Sequence, residues 1–482
     1  MRASARRPAT LSARLIGDVT LDVREDGDVA ARIEGFSVRL GRLSAGASAR
    51  AGALRAGLPL TSFASGRGVG KEIDVLVRAL AKRGLIEYRL ERGRKDQAVI
   101  EPQVPDYWPS LPTLRDTDTL VLSRFAYLRR RASEMVLESP RAGALFRIAD
   151  ARFAAVLALL ATPRPIKWLR RQAAFPGVEL LALLVDCRIL FKVDARDKGL
   201  RPTEGDASLV MWDFHDLVFH ARSTEGRHAN PTGGVYPHAD AVPPLPLVRS
   251  AWPGKRIDLR PALRADAPLS ATAKLLRERH SVRDFDPARP ITLTELSCFL
   301  DGTARIQSIV RMPPGPDDGG ETAEYSMRPY PAAGASYELE LYLAVDACDG
   351  LAHGFYHYDA GEHALVPIEV DARELDTLFQ GAQLAMGVSA PPQVLITIAA
   401  RFGRVSWKYS SLAYALILKD VGVLLQTLYL MATDMGLGGC AIGSTNIELF
   451  AKMTGIEFHV EGPIGQFALG RSAATAESGA MG

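Results

Sequence analysis

The residues best suited to chemistry fall in three short stretches. Trp407-Lys408-Tyr409 sets an amine beside a phenol, a pair able to take a proton from a bound molecule or to orient it. Arg279-His280-Ser281-Val282-Arg283 places two guanidinium groups four residues apart with a hydroxyl between them, a forked donor set suited to a phosphate. Ala332-Ala333-Gly334-Ala335 is a turn of small residues leading into an alternating strand, where backbone amides can approach a planar or anionic ligand. Each has an ordinary reading too: a solvated loop lysine, a surface arginine patch, a tight turn. The surrounding strands and helices carry neither GxGxxG nor GxxxxGK[ST], which argues against a Rossmann nucleotide site or a P-loop.

The element that must position the reactive pair is the helix that follows it. Ile417, Val421, Leu424, Leu425, Leu428 and Met431 recur at three- and four-residue steps along one helical face. Tyr414, Leu416, Leu418, Val423, Leu430 and Ala432 cover much of the rest, so the spacing predicts a helix buried on nearly all sides. Lys419, Asp420 and Gln426 near its middle would be costly in hydrocarbon, which makes it a core helix rather than a membrane span. It runs out into the glycine-rich Gly436-Leu437-Gly438-Gly439. Leu339 to Val345, Gly354 to Asp359 and Gln393 to Ala400 read as strands.

Earlier in the chain, Ile73, Leu76, Val77, Leu80 and Ala81 make an apolar helical stripe closed by Arg83-Gly84, followed by a strand from Leu85, a polar tip and a returning strand at Ala98-Val99-Ile100. Helix then hairpin is the outline of a winged-helix module. A similar order recurs further on: Leu145-Phe146-Arg147-Ile148 echoes Gly35-Phe36-Ser37-Val38, and Cys187-Arg188-Ile189-Leu190 echoes Arg83-Gly84-Leu85-Ile86. The chain therefore divides into two small winged-helix-like modules at 1–105 and 106–200, a linker at 201–264 that contributes to the catalytic domain, and a catalytic domain at 265–482. Such modules dock peptides or nucleic acid, often by adding a strand to an exposed sheet edge, or pack structurally on the rest of the chain. His215 and His220 lie five apart, unlike the four-residue spacing that puts two metal ligands on one helical face, so no metal site is assigned. The stretch Pro313 to Glu321, rich in proline and glycine, reads as a surface insertion.

With 58 basic against 55 acidic residues and a net charge of +3, the chain offers no electrostatic case for nucleic acid as its partner. Part of the excess sits in Arg2, Arg6, Arg7 and Arg14, with no apolar segment of a signal sequence behind them. Four scattered cysteines without a CxxC signal neither a disulfide framework nor a zinc knuckle and suit a reducing cytoplasm.

Taken in order, these pieces resemble a known family. Trp212-Asp213-Phe214-His215 with Phe219-His220, Arg279 to Arg283, Arg328-Pro329-Tyr330-Pro331-Ala332-Ala333-Gly334-Ala335, Lys408-Tyr409, Gly436-Leu437-Gly438-Gly439 with Ile442-Gly443, and Gly465 to Arg471 are similar to the FMN-dependent nitroreductase-like family, and within it to the SagB-type (McbC-like) azoline dehydrogenases. The resemblance covers about the last 270 residues, and the set in order is more specific than any one motif. It implies an α+β chain whose C-terminal part is a nitroreductase-like FMN-binding fold, a mixed sheet flanked by helices. It implies that Arg279, Ser281, Arg283 and Arg471 hold the FMN phosphate and ribityl chain. Ala333, Gly334 and Ala335 would lie against the isoalloxazine, and Gly438 and Gly439 would admit the ring from its other side or from a second subunit. Lys408 and Tyr409 would be the catalytic pair that aromatises thiazoline or oxazoline rings in a ribosomally made precursor peptide, with molecular oxygen reoxidising the flavin. A lysine acting so needs a depressed pKa, which a desolvated site near cationic arginines would give. A homodimer, a leader-binding role for the N-terminal modules and a cyclodehydratase partner complete the expectation. Leu412 and Ala415 depart from the family pattern, which has arginines there. The alternatives are a small-molecule flavoenzyme of the same fold and a flavin-free scaffold subunit.

Overall fold

A computed structural model describes residues 9–473 apart from 25, 34–35, 64–66, 94, 194–206, 229–232, 235, 237, 252, 264–267 and 313–322. The basic tip with Arg2, Arg6 and Arg7 and the insertion at 313–321 lie outside these residues. The chain forms two compact units, Met1–Asn230 and Pro231–Gly482. The boundary between the units falls inside the stretch 201–264. Its helix Phe214–Arg222 and the buried Trp212, stacked on His220, belong to the first unit.

The first unit is strand-rich and repeats one order of elements. Its first half runs β1 (Thr10–Leu15), the meander β2 (Thr20–Val23), β3 (Asp28–Ile33) and β4 (Phe36–Arg42), then α1 (Ala45–Ala51), β5 (Leu58–Pro59), α2 (Val69–Ala81) and β6 (Ile86–Arg92), with β7 (Lys95–Pro102) returning. The second half repeats it as β8 (Thr119–Leu122), the meander β9 (Tyr127–Arg131), β10 (Glu134–Glu138) and β11 (Ala144–Ile148), then α3 (Phe153–Leu159), β12 (Arg164–Pro165), α4 (Ile166–Leu169), α5 (Val178–Asp186) and β13 (Leu190–Val193).

The match extends to the backbone. Leu85 N–H donates to Leu80 O at 3.0 Å and Ile189 N–H to Leu184 O at 2.9 Å, each just after a left-handed residue, Gly84 at φ 66° and Arg188 at φ 57°. Only the first copy uses glycine there, so Arg188 adopts a conformation that disfavours its side chain. One sheet joins the halves: β7 pairs with β11, giving seven strands in the order β5-β1-β6-β7-β11-β10-β9, while β2-β3-β4 and β12-β8-β13 are separate three-stranded sheets. Ile73, Leu76, Val77 and Leu80 from α2 and Leu180, Leu181, Leu183 and Leu184 from α5 share one core.

The second unit is built on a six-stranded sheet ordered β20-β19-β17-β21-β23-β22, from β17 (Leu339–Val345), β19 (Gly354–Asp359), β20 (Ala364–Ile368), β21 (Val394–Arg401), β22 (Gly438–Ile442) and β23 (Glu461–Gly470). All its pairs are antiparallel; the parallel pair among the described residues is the short β14 (Ile291–Thr292) with β18 (Cys348–Asp349). β21 is apolar but for Thr397 and buried up to its exposed final residue, Arg401, as a central strand covered on both faces must be. Pro463, which cannot donate to the ladder, sits in β23 beside a register shift against β21.

The remaining elements are α6 (Phe214–Arg222) in the first unit and, in the second, α7 (Ala271–Glu278), α8 (Leu293–Thr303), the hairpin β15 (Ser308–Met312) with β16 (Ala323–Met327), α9 (Ala372–Met386), α10 (Phe402–Ser406), α11 (Ala413–Asp434) and α12 (Ile447–Thr454). α8 starts with a full capping box, Thr292 and Glu295 each satisfying the other's backbone N–H. α11 is the helix expected to be buried on nearly all sides. Instead, Ile417, Val421, Leu424 and Leu428 are buried while Ala415, Val423 and Gln426 are exposed. One face meets the sheet, and among the described residues nothing covers the other.

Candidate active site

α11 ties together two groups of the residues singled out above. The first lies along its C-terminal half. Arg279 closes α7, and its guanidinium stands 5.0 Å from the ring centre of Tyr429. The Tyr429 hydroxyl is 2.8 Å from Ser281 Oγ and accepts the Ala441 N–H at 2.8 Å. Val282 N–H donates to Gly439 O at 2.9 Å, which lays residues 281–283 along the edge of β22. Arg283 lies beside the Cys440 thiol, whose pKa burial raises. Among the described residues neither Arg279 nor Arg283 pairs with a carboxylate, so both charges are available to an anion.

Arg471, at the end of β23, is placed differently. It donates to both Glu295 oxygens, at 2.7 and 2.8 Å, and holds that carboxyl below its usual range. It therefore braces α8 against the sheet. Gly438 and Gly439 also have an internal reason to be glycine: a Cβ at Gly438 would fall 2.6 Å from Val282 Cγ1, and one at Gly439 would run into the Phe467 ring. On the side where a Cβ would stand, the space is taken by the chain's own side chains.

The second group surrounds the turn before β17. Gly334, at φ 55°, faces Lys408 and Tyr409 so closely that a Cβ would meet the Tyr409 hydroxyl and come within 2.8 Å of Lys408 Nζ. Lys408 Nζ donates to Gly334 O across a long 3.4 Å and sits 5.6 Å from the Tyr409 ring centre and 5.7 Å from that of Tyr325, on β16. The desolvation expected of Lys408 is absent: its side chain is exposed, with aromatic faces that favour a cation beside it. Leu412 and Ala415, at the start of α11, are exposed as well.

The turn hangs on groups that the sequence motifs did not mark. Ala333 N–H donates to Asp420 Oδ2 at 2.9 Å, Arg404 Nε–H to Ser336 O at 2.8 Å, and Arg401 N–H to Glu338 O at 2.9 Å. A charged residue inside the apolar run of α11 was the available signal for Asp420; Tyr325 and Tyr429 carry no local one. Tyr429 follows Asp420 by nine positions, roughly 13 Å of helix axis, so the two groups are set like the two ends of an extended ligand.

Comparison with known proteins follows this division. Residues 276–471 match the nitroreductase family, and residues 120–229 match the cyanobactin oxidase ThcOx family. The nitroreductase MJ1384 of Methanocaldococcus jannaschii is 33% identical over 170 residues, 35% of this chain and 77% of that protein. Among solved structures, a nitroreductase of Ralstonia eutropha is 24% identical, with 42% of this chain and 82% of that one covered and a TM-score of 0.32. The Escherichia coli microcin synthetase McbBCD complex with truncated pro-MccB17 bound is 19% identical, covering 58% of this chain and 100% of the matched one, with a TM-score of 0.37. With a relative one-third identical over three-quarters of its own length, this chain belongs to the nitroreductase family of oxidoreductases.

Proposed function

We propose that this protein is an FMN-dependent dehydrogenase that converts thiazoline or oxazoline rings to thiazole or oxazole in a ribosomally made precursor peptide. The observation that carries the reading is the Lys408–Tyr409 pair set against the Gly334 turn. The match of residues 120–229 to the cyanobactin oxidase family supports a peptide substrate. The residues present fit FMN: Arg279, Ser281 and Arg283 would hold the phosphate, and Ala333, Gly334 and Ala335 would lie against the ring system.

When bound, FMN supplies the two-electron acceptor for the hydride that aromatisation removes. The chain's own part is the proton. Lys408, as the free amine, takes it from the neighbouring ring carbon, and Tyr409, next along the chain, orients the azoline or passes the proton on. Arg404 and Asp420 keep the backbone of the turn in place from behind.

Peptide docking has a candidate location in the first unit. In the second repeat, the edge of the meander is closed, because β11 receives β7. In the first repeat the equivalent edge, β4, pairs only with β3 among the described residues. Beside it runs a groove of about 500 Å³ lined by Val29, Leu40, Leu43 and Val75. An extended leader segment would add there as a strand. The uncovered face of α11 supports a homodimer.

The test is incubation of the purified protein with an azoline-bearing peptide, with and without its leader. A loss of two hydrogens from the peptide, faster when the leader is present, is expected. Reduction of nitroaromatics with no change in the peptide would favour the small-molecule reading instead.

A further inference from the structure

Asp420 stands in the middle of α11 and is 7% exposed. Facing it is Glu338, which enters β17 and is fully buried. Neither oxygen of Glu338 has a hydrogen-bond partner among the described residues, and the Asp420 carboxyl is its acidic neighbour. Two neighbouring buried carboxyls do not both ionise readily, so one of them keeps a proton. Burial lifts both groups, Glu338 to about 7, so the proton is retained toward neutral pH. Arg404, on α10, is the cation that faces Glu338, and burial lowers its own pKa.

What this pair holds is the turn. Asp420 Oδ2 accepts the Ala333 N–H, and the backbone beyond is strained: Ala335 at φ 55° and Tyr337 at φ 44° adopt a conformation that side chains disfavour. Such a backbone persists when its neighbours over-determine it. We propose that Asp420, partnered by Glu338, is the positioning residue of the 333–337 turn and fixes where Gly334 lies against Lys408 and Tyr409. Its catalytic consequence rests on the proposed function; the anchoring does not.

The experiment compares the full chain with Asp420→Ala, Asp420→Asn and Glu338→Gln by hydrogen–deuterium exchange over residues 333–337, and by kcat and KM on an azoline peptide. Asp420→Ala is expected to speed exchange in the turn roughly tenfold, leave exchange in β21 and β23 unchanged, and lower kcat more than it raises KM. Asp420→Asn still accepts the Ala333 N–H and donates to Glu338, so it stays within about threefold of wild type, as does Glu338→Gln.

If Asp420→Ala does not fold, Ala333→Pro carries the test. It deletes the same donor where Ala332, at φ −133° and ψ 155°, already suits a following proline, and it too is expected to loosen the turn. An unchanged turn in whichever of these two variants folds, or an Asp420→Asn as loose as Asp420→Ala, overturns the proposal. A wild type without azoline turnover would count against the proposed function, and the exchange data would still decide the anchoring.

Discussion

Lys408 is exposed beside two tyrosine rings. To serve as a base it must be covered, so the substrate or a second copy has to supply the desolvation that the single chain lacks. Lys408→Ala is expected to lower azole formation by about 10²–10⁴-fold with the flavin absorption spectrum retained; loss of the flavin would reassign the lysine to binding. The arginines should separate by role. Arg279→Ala and Arg283→Ala should weaken FMN in a fluorescence titration, whereas Arg471→Ala should leave affinity nearer wild type and cost at most about 1 kcal/mol of stability, since its pair with Glu295 is partly exposed. Glu338 gives a pH signature. With a folded pKa of about 7 against an ordinary 4.5, its contribution is complete below pH 4.5. It is lost as pH rises toward 7, because the unfolded chain ionises first. Thermal unfolding of Glu338→Gln across that range should lack this decline, and parallel curves for variant and wild type would rule the assignment out.

At the scale of elements, the local patterns were informative and the distant pairings were not. The stripe of α2, the apolar run of β21 and the repeated order of strands are written in periodicity, and all are present as such. Asp420 shows in the sequence as a charge inside an apolar helix, but the amide it holds lies 87 residues away, and no spacing joins them. The same limit hid Glu295 as the partner of Arg471, 176 residues on. Gly438 and Gly439 show how a glycine can be noticed for one reason and needed for another, since Val282 and Phe467 fill the adjoining space. Gly439→Ala should destabilise the second unit by about 1–3 kcal/mol through overpacking, read as a lower unfolding midpoint at saturating FMN.

For the molecule as a whole, the exposed side of α11, with Ala415, Gly422 and Val423 beside Lys419 and Gln426, is not covered by the described residues. A charge placed there, as in Val423→Glu, should shift the mass measured by light scattering from dimer to monomer; a wild type already monomeric would remove the dimer from the proposal. The two-copy design of the first unit has a consequence of another kind. One copy has spent its meander edge on β7, within the same chain, and in the other no described strand pairs with the far edge of β4. A leader should therefore titrate at one equivalent per chain despite the duplication. The second copy is then free to diverge in its groove, because its edge already answers to the fold rather than to any ligand.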